Sequence, residues 1–266
     1  MRHAWRLPVG LGALVGAGAL VVGAPLLAQG GAAVAGTAAA GRPAVAAQSE
    51  VAIPSAPAWK APPGILTLGM HGAAVRSLQK RLAALKFYPG TADGQFGLDT
   101  LEAVWAFKEI QGLPVTGANQ DQVSRRTEYR LEHPRGFKAL VPKGGKERIE
   151  VNMGNETLVL YKNNKPVLFS HVSTGAGCLP GQGCGWDTPT GNYHAIWFYK
   201  GWIKVPLGEM YNPVFFIGSV FAIHGEVNAA VPYYPDSHGC VRIPYDIASY
   251  FHTLIKVPGT PIYIRN

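Results

Sequence analysis

The chain has 266 residues, of which 47% are hydrophobic and 15% are charged, and its formal net charge is +8. Once an N-terminal leader is set apart, about 200 residues remain, which is enough for two modest domains. No nucleic-acid-binding motif accompanies the positive charge, so the charge is interpreted as a surface property and nucleic acid is excluded as a partner.

Residues 1–35 have the features of an export signal. Arg2 and Arg6 give a positively charged start, residues 7–27 are apolar and uncharged, and residues 33–35 offer an Ala-x-Ala cleavage site. The apolar run is also long enough to be an uncleaved membrane anchor. Both alternatives place the rest of the chain in the cell wall, the periplasmic space or the extracellular medium, where its positive charge favours anionic wall polymers or lipid headgroups.

The next two segments predict a linker followed by a helical domain. Residues 36–62 are dominated by alanine and proline, which is typical of an extended linker. Within residues 63–130, apolar positions 75, 78, 82 and 85 recur at helical spacing, and the pattern returns from Leu101 to Ile110. A third short helix is predicted from Asn119 to about Tyr129.

A second linker is predicted over residues 131–147, followed by a mainly β domain over residues 148–266. Two strand-forming runs, 156–162 and 165–173, are separated by Asn163-Asn164, which suits a hairpin turn. Because Pro166 cannot donate to a ladder, it is predicted at a strand start or a sheet edge. Many strands with glycine- and proline-rich turns favour a sandwich or barrel. Further strands are predicted at residues 191–199, 214–224 and 260–264, and a short amphipathic helix at residues 247–254.

The segment from Ser237 to Arg242 has the parts of an activated thiol. It places His238 two residues before Cys240, and Ile-His-Gly at residues 223–225 lies upstream. A free thiol is mostly protonated at neutral pH, and a nearby imidazole is the usual way to activate it. The pattern therefore predicts an enzyme whose chemistry occurs at this segment.

Cysteine usage agrees with this interpretation, because the chain has only three cysteines. Cys178 and Cys184 are separated by Leu-Pro-Gly-Gln-Gly, a turn-forming stretch that would bring them within disulfide range, although geometry decides the pairing. Their pairing would leave Cys240 as the odd thiol, which in an exported protein is either intermolecular or reactive.

The helical region carries a set of motif positions spread over its first two helices. They are Leu68 to Gly72, Val75, Leu78, Gln79, Leu82, the turn from Asp93 to Gly97, Ala103, Phe107 and Gln111. With these positions the region resembles the three-helix peptidoglycan-binding module of cell-wall enzymes. The resemblance implies a small wall-anchoring domain with peptidoglycan as its partner, and the alternative is a bundle that only supports the second domain.

The β-rich region resembles an L,D-transpeptidase catalytic domain. Beside the two histidine segments, it carries Ser173-Thr174-Gly175 and Thr188-Pro189-Thr190-Gly191, which match earlier markers of that family. The loop from Cys178 to Cys184 departs from the family pattern and leaves the local loop shape open.

The resemblance implies a role for each matching residue. Cys240 would be the nucleophile, His224 the base that takes its proton, and the Gly225 carbonyl would orient the imidazole. His238 would line the pocket and support the thiolate or the developing oxyanion. Backbone N–H groups of Gly239 and Cys240 would form the oxyanion hole.

Two further residues complete the predicted site. Ser237 would tie down the loop, and Arg242 would either pair with a substrate carboxylate or brace the loop, since an arginine fork serves both purposes. The family reaction joins a donor and an acceptor stem peptide of peptidoglycan in a 3→3 crosslink, releases a terminal D-alanine, and needs no cofactor and no metal. Water as the acceptor would give a carboxypeptidase instead.

Three other interpretations stay open from the sequence. Asp236, His238 and Cys240 alternate and would share one face of a strand, so with His224 they are candidate zinc ligands. A different cell-wall cysteine peptidase is a second alternative, although there the cysteine commonly precedes its histidine. The third is a non-catalytic wall-binding protein that kept the fold.

Overall fold

The computed structural model describes residues 50–117, 120–226 and 230–266. The predicted export signal or anchor at residues 1–35, and the part of the predicted linker before residue 50, lie outside the described residues. Among the residues that are described, no helix is both long and apolar enough to cross a membrane.

The predicted helical domain is confirmed. Its helices are α1 (Ala73–Ala84), α2 (Leu98–Ile110) and α3 (Arg125–Glu132). The third helix begins later than predicted because Ser124 caps it, its hydroxyl accepting a hydrogen bond from the Thr127 amide. Just before this cap, β3 (Gln122–Val123) pairs antiparallel with β2 (Leu66–Thr67).

The mainly β domain is also confirmed, and it contains two five-stranded sheets. In spatial order the first sheet comprises β10 (Gly191–His194), β16 (Pro261–Arg265), β5 (Arg148–Asn152), β6 (Thr157–Lys162) and β7 (Lys165–His171). The second sheet comprises β11 (Trp197–Phe198), β13 (Gly208–Ile217), β14 (Phe221–Gly225) and β15 (Val241–Ile243), with β12 (Trp202–Val205) also paired to β13.

Several local predictions are settled by these strands. Asn163 and Asn164 both have positive φ, 51° and 60°, as a tight hairpin turn between β6 and β7 requires. Pro166 lies near the start of β7, which is the edge strand of its sheet. The single strand predicted over residues 214–224 is wrong, because a turn at Gly218, with φ of 52°, divides it between β13 and β14.

One apolar core joins the two sheets. It includes buried residues of both sheets and of helix α4 (Tyr245–Phe251), which continues as a short 3₁₀ helix, His252–Leu254. The completely buried members include Ile149, Leu158, Val214, Ile223, Val241 and Ile262. Because Ile223 and Val241 are locked in this core, the strands that carry the predicted site are fixed on their inner side.

A second core lies between the helical domain and the outer face of the first sheet. Buried residues of α1 and α2 share it with Val159, Tyr161 and Phe169 of β6 and β7. Phe87 stacks on Phe169 with ring centroids 4.6 Å apart and meets Phe107 edge to face at 5.2 Å. The two domains therefore depend on each other for the burial of their apolar side chains.

Both predicted linkers contribute to this packing where they are described. In the first, β1 (Glu50–Val51) pairs antiparallel with β4 (Phe137–Lys138) of the second. Arg81 of α1 donates to the carbonyl oxygens of Pro57, at 2.6 Å, and Leu131, at 2.7 Å. Pro57 of the first linker is thus held against α1, because its carbonyl oxygen satisfies the buried Arg81 guanidinium.

Helix α2 also holds the segment that leads to the predicted nucleophile. Glu102 accepts a hydrogen bond of 2.6 Å from the Val231 amide. Glu109 contacts Nδ1 of the fully buried His171 at 3.0 Å, and Nε2 of the same ring lies 2.9 Å from the Pro232 carbonyl oxygen. Two acidic residues of the helical domain therefore fix the chain just before residue 237.

Candidate active site

Two neighbouring parallel strands bring the predicted nucleophile and base together. β14 ends with His224 and Gly225, and β15 begins immediately after Cys240. The strands pair with Ile223 opposite Val241 and His224 opposite Arg242. Residues far apart in sequence thereby reach one end of the same sheet.

A cavity of about 400 Å³ opens at this position. Five of the predicted site residues line it: Ser237, His238, Cys240, His224 and Arg242. The rest of its lining comes from the hairpin between β12 and β13, Val205 to Met210, and from Ser219, Val220 and Glu226. Sequence reasoning did not single out that hairpin, because only the pairing of β12 with β13 shows that their turn reaches the cavity.

A larger cavity of about 600 Å³ lies elsewhere, beside β4 and strands β5 and β6 of the first sheet. Its sheet residues, such as Glu150 and Thr157, belong to the inner strands β5 and β6, and none of the described residues around it is a cysteine or a histidine. The chemistry of the side chains therefore assigns the active site to the smaller cavity.

His224 is a buried, neutral base. Its Nδ1 lies 3.0 Å from the Gly225 carbonyl oxygen, the contact that the resemblance implied. Because a carbonyl oxygen can only accept, Nδ1 carries the proton and Nε2 keeps its lone pair. Burial lowers the pKa of His224 to about 4, and the Gly225 hydrogen bond opposes this only in part. The imidazole is consequently neutral at physiological pH.

Cys240 is a partly buried thiol. Its sulfur contacts the Val220 carbonyl oxygen at 3.6 Å and packs beside Met210, Phe215 and Ala222. Burial raises the pKa of the Cys240 thiol above its usual range, and a hydrogen bond from the Ala222 backbone and the charge of Arg242 offset this in part. The resting site therefore holds a neutral thiol and a neutral imidazole, not a preformed ion pair.

The loop before Cys240 is tied by Ser237, as the resemblance implied. The Ser237 hydroxyl donates to the Cys240 carbonyl at 2.6 Å and accepts from the Gly239 amide at 3.0 Å. Gly239 has φ of 109°, and a Cβ there would lie 2.5 Å from the Phe221 ring. The Gly239 N–H, expected in the oxyanion hole, is thus already occupied and must exchange partners before it can bind an oxyanion.

Comparisons with known proteins decide which family this geometry represents. The family model of the L,D-transpeptidase catalytic domain matches residues 146–264, and that of the peptidoglycan binding domain matches residues 71–118. The crystal structure of an L,D-transpeptidase from Xylanimonas cellulosilytica is similar at 27% identity and a TM-score of 0.66, over 77% of this chain and 98% of that chain.

The C-terminal domain belongs to the L,D-transpeptidase family. The Xylanimonas match covers a larger share of the chain than the transpeptidase domain alone, so it extends into the helical domain. Structures of L,D-transpeptidases from Mycobacterium smegmatis and, as a mutant, Enterococcus faecium match 46% of this chain at 18% identity, with TM-scores of 0.38 and 0.39 and coverage of 59% and 50% of those chains. Among curated proteins, none matches this chain significantly.

The transpeptidase domain holds His238 through an element that the family pattern does not require. His238 Nε2 lies 2.6 Å from Oε1 of Gln182, and the Trp186 ring meets the imidazole edge to face at 4.8 Å. Gln182 lies at the tip of a hairpin in which Cys178 and Cys184 form a disulfide. Sequence reasoning missed Gln182 because nothing in the motif spacing shows where this loop turns.

Arg242 is engaged within the transpeptidase domain itself. Its guanidinium lies 2.8 Å from the Glu226 carboxylate and 3.5 Å from that of Asp236. Of the two roles considered, this arrangement corresponds to bracing the loop. Within the described residues, no group of three or more His, Cys, Asp or Glu side chains is arranged to hold a metal ion.

Proposed function

We propose that this protein is a peptidoglycan L,D-transpeptidase that forms 3→3 crosslinks through an acyl-enzyme on Cys240. The observation that carries the proposal is one cavity lined both by the free Cys240 and by a histidine whose Nδ1 is fixed by a backbone carbonyl. That constellation is the minimal apparatus for acyl transfer through a thiol.

The first half-reaction follows from the protonation states. Nε2 of His224 takes the thiol proton of Cys240 as the sulfur attacks the carbonyl carbon of the third stem residue, a diamino acid. The tetrahedral intermediate then collapses, and the carbon–nitrogen bond to D-alanine breaks. His224 returns its proton to the departing amine, which leaves a thioester on Cys240 and free D-alanine.

The second half-reaction regenerates the enzyme. The amine of an acceptor stem attacks the thioester carbon, His224 takes a proton from that amine, and the carbon–sulfur bond breaks as the thiolate is protonated. The product is an amide between two third residues, so the crosslink is 3→3. If water attacks instead, the same thioester yields a tripeptide, which is the carboxypeptidase outcome.

The rest of the chain supports a place at the cell wall. Residues 71–118 match the peptidoglycan binding domain, which makes peptidoglycan the partner of both domains. The net charge of +8 suits attraction to anionic wall polymers. Together with the signal or anchor proposed at residues 1–35, these features indicate an exported enzyme of cell wall biogenesis.

The test is a muropeptide assay with the purified protein and a tetrapeptide-stem substrate, read by mass spectrometry beside Cys240→Ala. We expect the wild type to produce a dimer that is lighter than two monomers by the mass of one released D-alanine. We expect no dimer with Cys240→Ala. Trimming to tripeptide alone would replace the proposal with a carboxypeptidase. Unchanged substrate, with a folded protein, would favour a binding role.

A further inference from the structure

The hairpin closed by Cys178 and Cys184 has little intrinsic rigidity. It consists of β8 (Gly177–Leu179) and β9 (Gly183–Trp186), and of these residues only Leu179 is buried. Four of its glycines have positive φ: Gly177, Gly181, Gly183 and Gly185. Because glycine has the most backbone freedom to lose, such a segment does not hold one conformation unless something constrains it.

The base of this hairpin is fixed by two glycines of the family markers. A Cβ on Gly175 would lie 2.1 Å from the Trp186 carbonyl oxygen, and one on Gly239 would lie 3.0 Å from that of Asp187. The Gly175 amide also donates to the Thr188 hydroxyl at 2.8 Å. The chain leaving the hairpin is therefore pressed against the loop that carries Cys240.

The tip of the hairpin reaches the same loop from the other side. Oε1 of Gln182 is 2.6 Å from Nε2 of His238. Trp186 contacts the His238 ring and donates from its indole nitrogen to the Gln182 carbonyl oxygen at 3.3 Å. Since an amide oxygen only accepts, this contact places the proton of His238 on Nε2 and leaves Nδ1 with its lone pair.

We propose that Gln182 is a positioning residue for His238, and that the Cys178–Cys184 disulfide keeps it in place. The inference rests on the proposed function, in which His238 supports the reacting sulfur or oxyanion. The disulfide closes the glycine-rich loop across the strands, so fewer conformations compete with the one in which Gln182 reaches His238. The extra loop is thereby part of the catalytic apparatus.

The disulfide is tested with the whole protein and dithiothreitol. Reduction lowers kcat about five- to tenfold, with KM within about twofold, since positioning acts on the chemical step. The double variant Cys178→Ser and Cys184→Ser has, without dithiothreitol, the kcat of the dithiothreitol-treated wild type. Adding dithiothreitol does not change its kcat. Cys240 is a free thiol in both proteins, so its own redox state does not explain the difference. Wild-type kcat in the double variant overturns the proposal.

The hydrogen bond is tested by Gln182→Met, which keeps the length but removes the acceptor, beside Gln182→Glu, which keeps an acceptor. We expect kcat of the Gln182→Met variant to be about five- to tenfold below that of the wild type. The Gln182→Glu variant should retain most of the wild-type kcat. Equal activity of the two variants contradicts the inference.

Nitrogen chemical shifts of the His238 ring separate this inference from the proposed function, because they need no turnover. In the wild type, with the ring neutral, the proton resides on Nε2. With Gln182→Met, both tautomers appear. If the wild type releases no D-alanine, the proposed function fails while the ring signals still report on positioning. An unchanged tautomer in the Met variant overturns the role of Gln182.

Discussion

At the scale of single residues, the site depends on a base that burial keeps neutral. Burial lowers the pKa of His224 to about 4 and raises that of the Cys240 thiol. In such a pair the proton leaves the thiol during attack, because neither charged form is favoured at rest. Protonation of His224 consequently contributes to the acid limb of the pH profile.

We predict that kcat/KM falls as the pH drops through about 4, because protonated His224 cannot accept the thiol proton. From about pH 5 to 8 the profile stays flat. The measurement is D-alanine release across this range, with Cys240 alkylation by iodoacetamide as a probe that needs no stem peptide. A preformed thiolate–imidazolium pair would instead show loss of activity on the alkaline side as the imidazolium loses its proton.

The sequence could name residues of this site where a motif fixes local geometry. His224 near the end of β14 and Cys240 just before β15 line one cavity, and Nδ1 of His224 contacts the Gly225 carbonyl oxygen. The partners of His238 and Arg242 were beyond prediction. Gln182 and Glu226 lie on loops, and the path of a loop depends on tertiary contacts that no local pattern encodes.

At the scale of elements, helix α2 does more than carry apolar residues. Trp105 is buried against His171 and Tyr233 of the other domain. Glu102 and Glu109 lie one helical turn before and after Trp105. Their buried carboxylates contact the Val231 amide and the His171 ring of the other domain. Hydrophobic periodicity reveals the buried face of a helix but not the donors that its buried acids require.

The buried pair of Glu109 and His171 predicts how stability depends on pH. Burial alone would lower the pKa of His171, but the Glu109 charge and hydrogen bonds from both ring nitrogens raise it to about 9. Because the folded pKa lies above the unfolded value, the stabilisation is complete below about pH 6.5 and is lost as the pH rises through about 9.

We therefore expect the free energy of unfolding of the wild type to fall by up to about 3 kcal/mol between pH 7 and pH 10. The matched variant is Glu109→Gln, which keeps the shape but removes the charge that holds the His171 proton. Its stability, although lower at pH 7, should fall less over the same range. Guanidinium denaturation of both proteins at each pH provides the measurement, and equal losses would contradict the role of the pair.

At the scale of the whole molecule, the two domains share one of the apolar cores. The sequence predicted a linker at residues 131–147, between the helical and the β-rich stretches. In the structure, Phe137 and Ala139 of this stretch contact the core that α1 and α2 share with the first sheet. A linker is recognised by composition, whereas its packing depends on surfaces that only the assembled domains present.

Because the two domains share this core, we expect them to unfold in a single transition. Phe87 follows α1, is fully buried, and stacks on Phe169 of β7. We predict that Phe87→Ala lowers the free energy of unfolding by about 3–5 kcal/mol, because it leaves a cavity that both domains line. Ile65→Ala, at an exposed position of the same domain, should change it by less than about 0.5 kcal/mol.

The decisive observation is coincidence of transitions. Far-ultraviolet circular dichroism follows the unfolding of the helices. Release of D-alanine after brief exposure to denaturant follows the loss of the transpeptidase site. In Phe87→Ala the midpoints of both transitions should shift together to a lower denaturant concentration. The reason is that α2 holds Val231 and Pro232 beside the active-site loop. Activity that survives unfolding of the helices would show that the catalytic domain stands alone, and the shared core would then be incidental to the site.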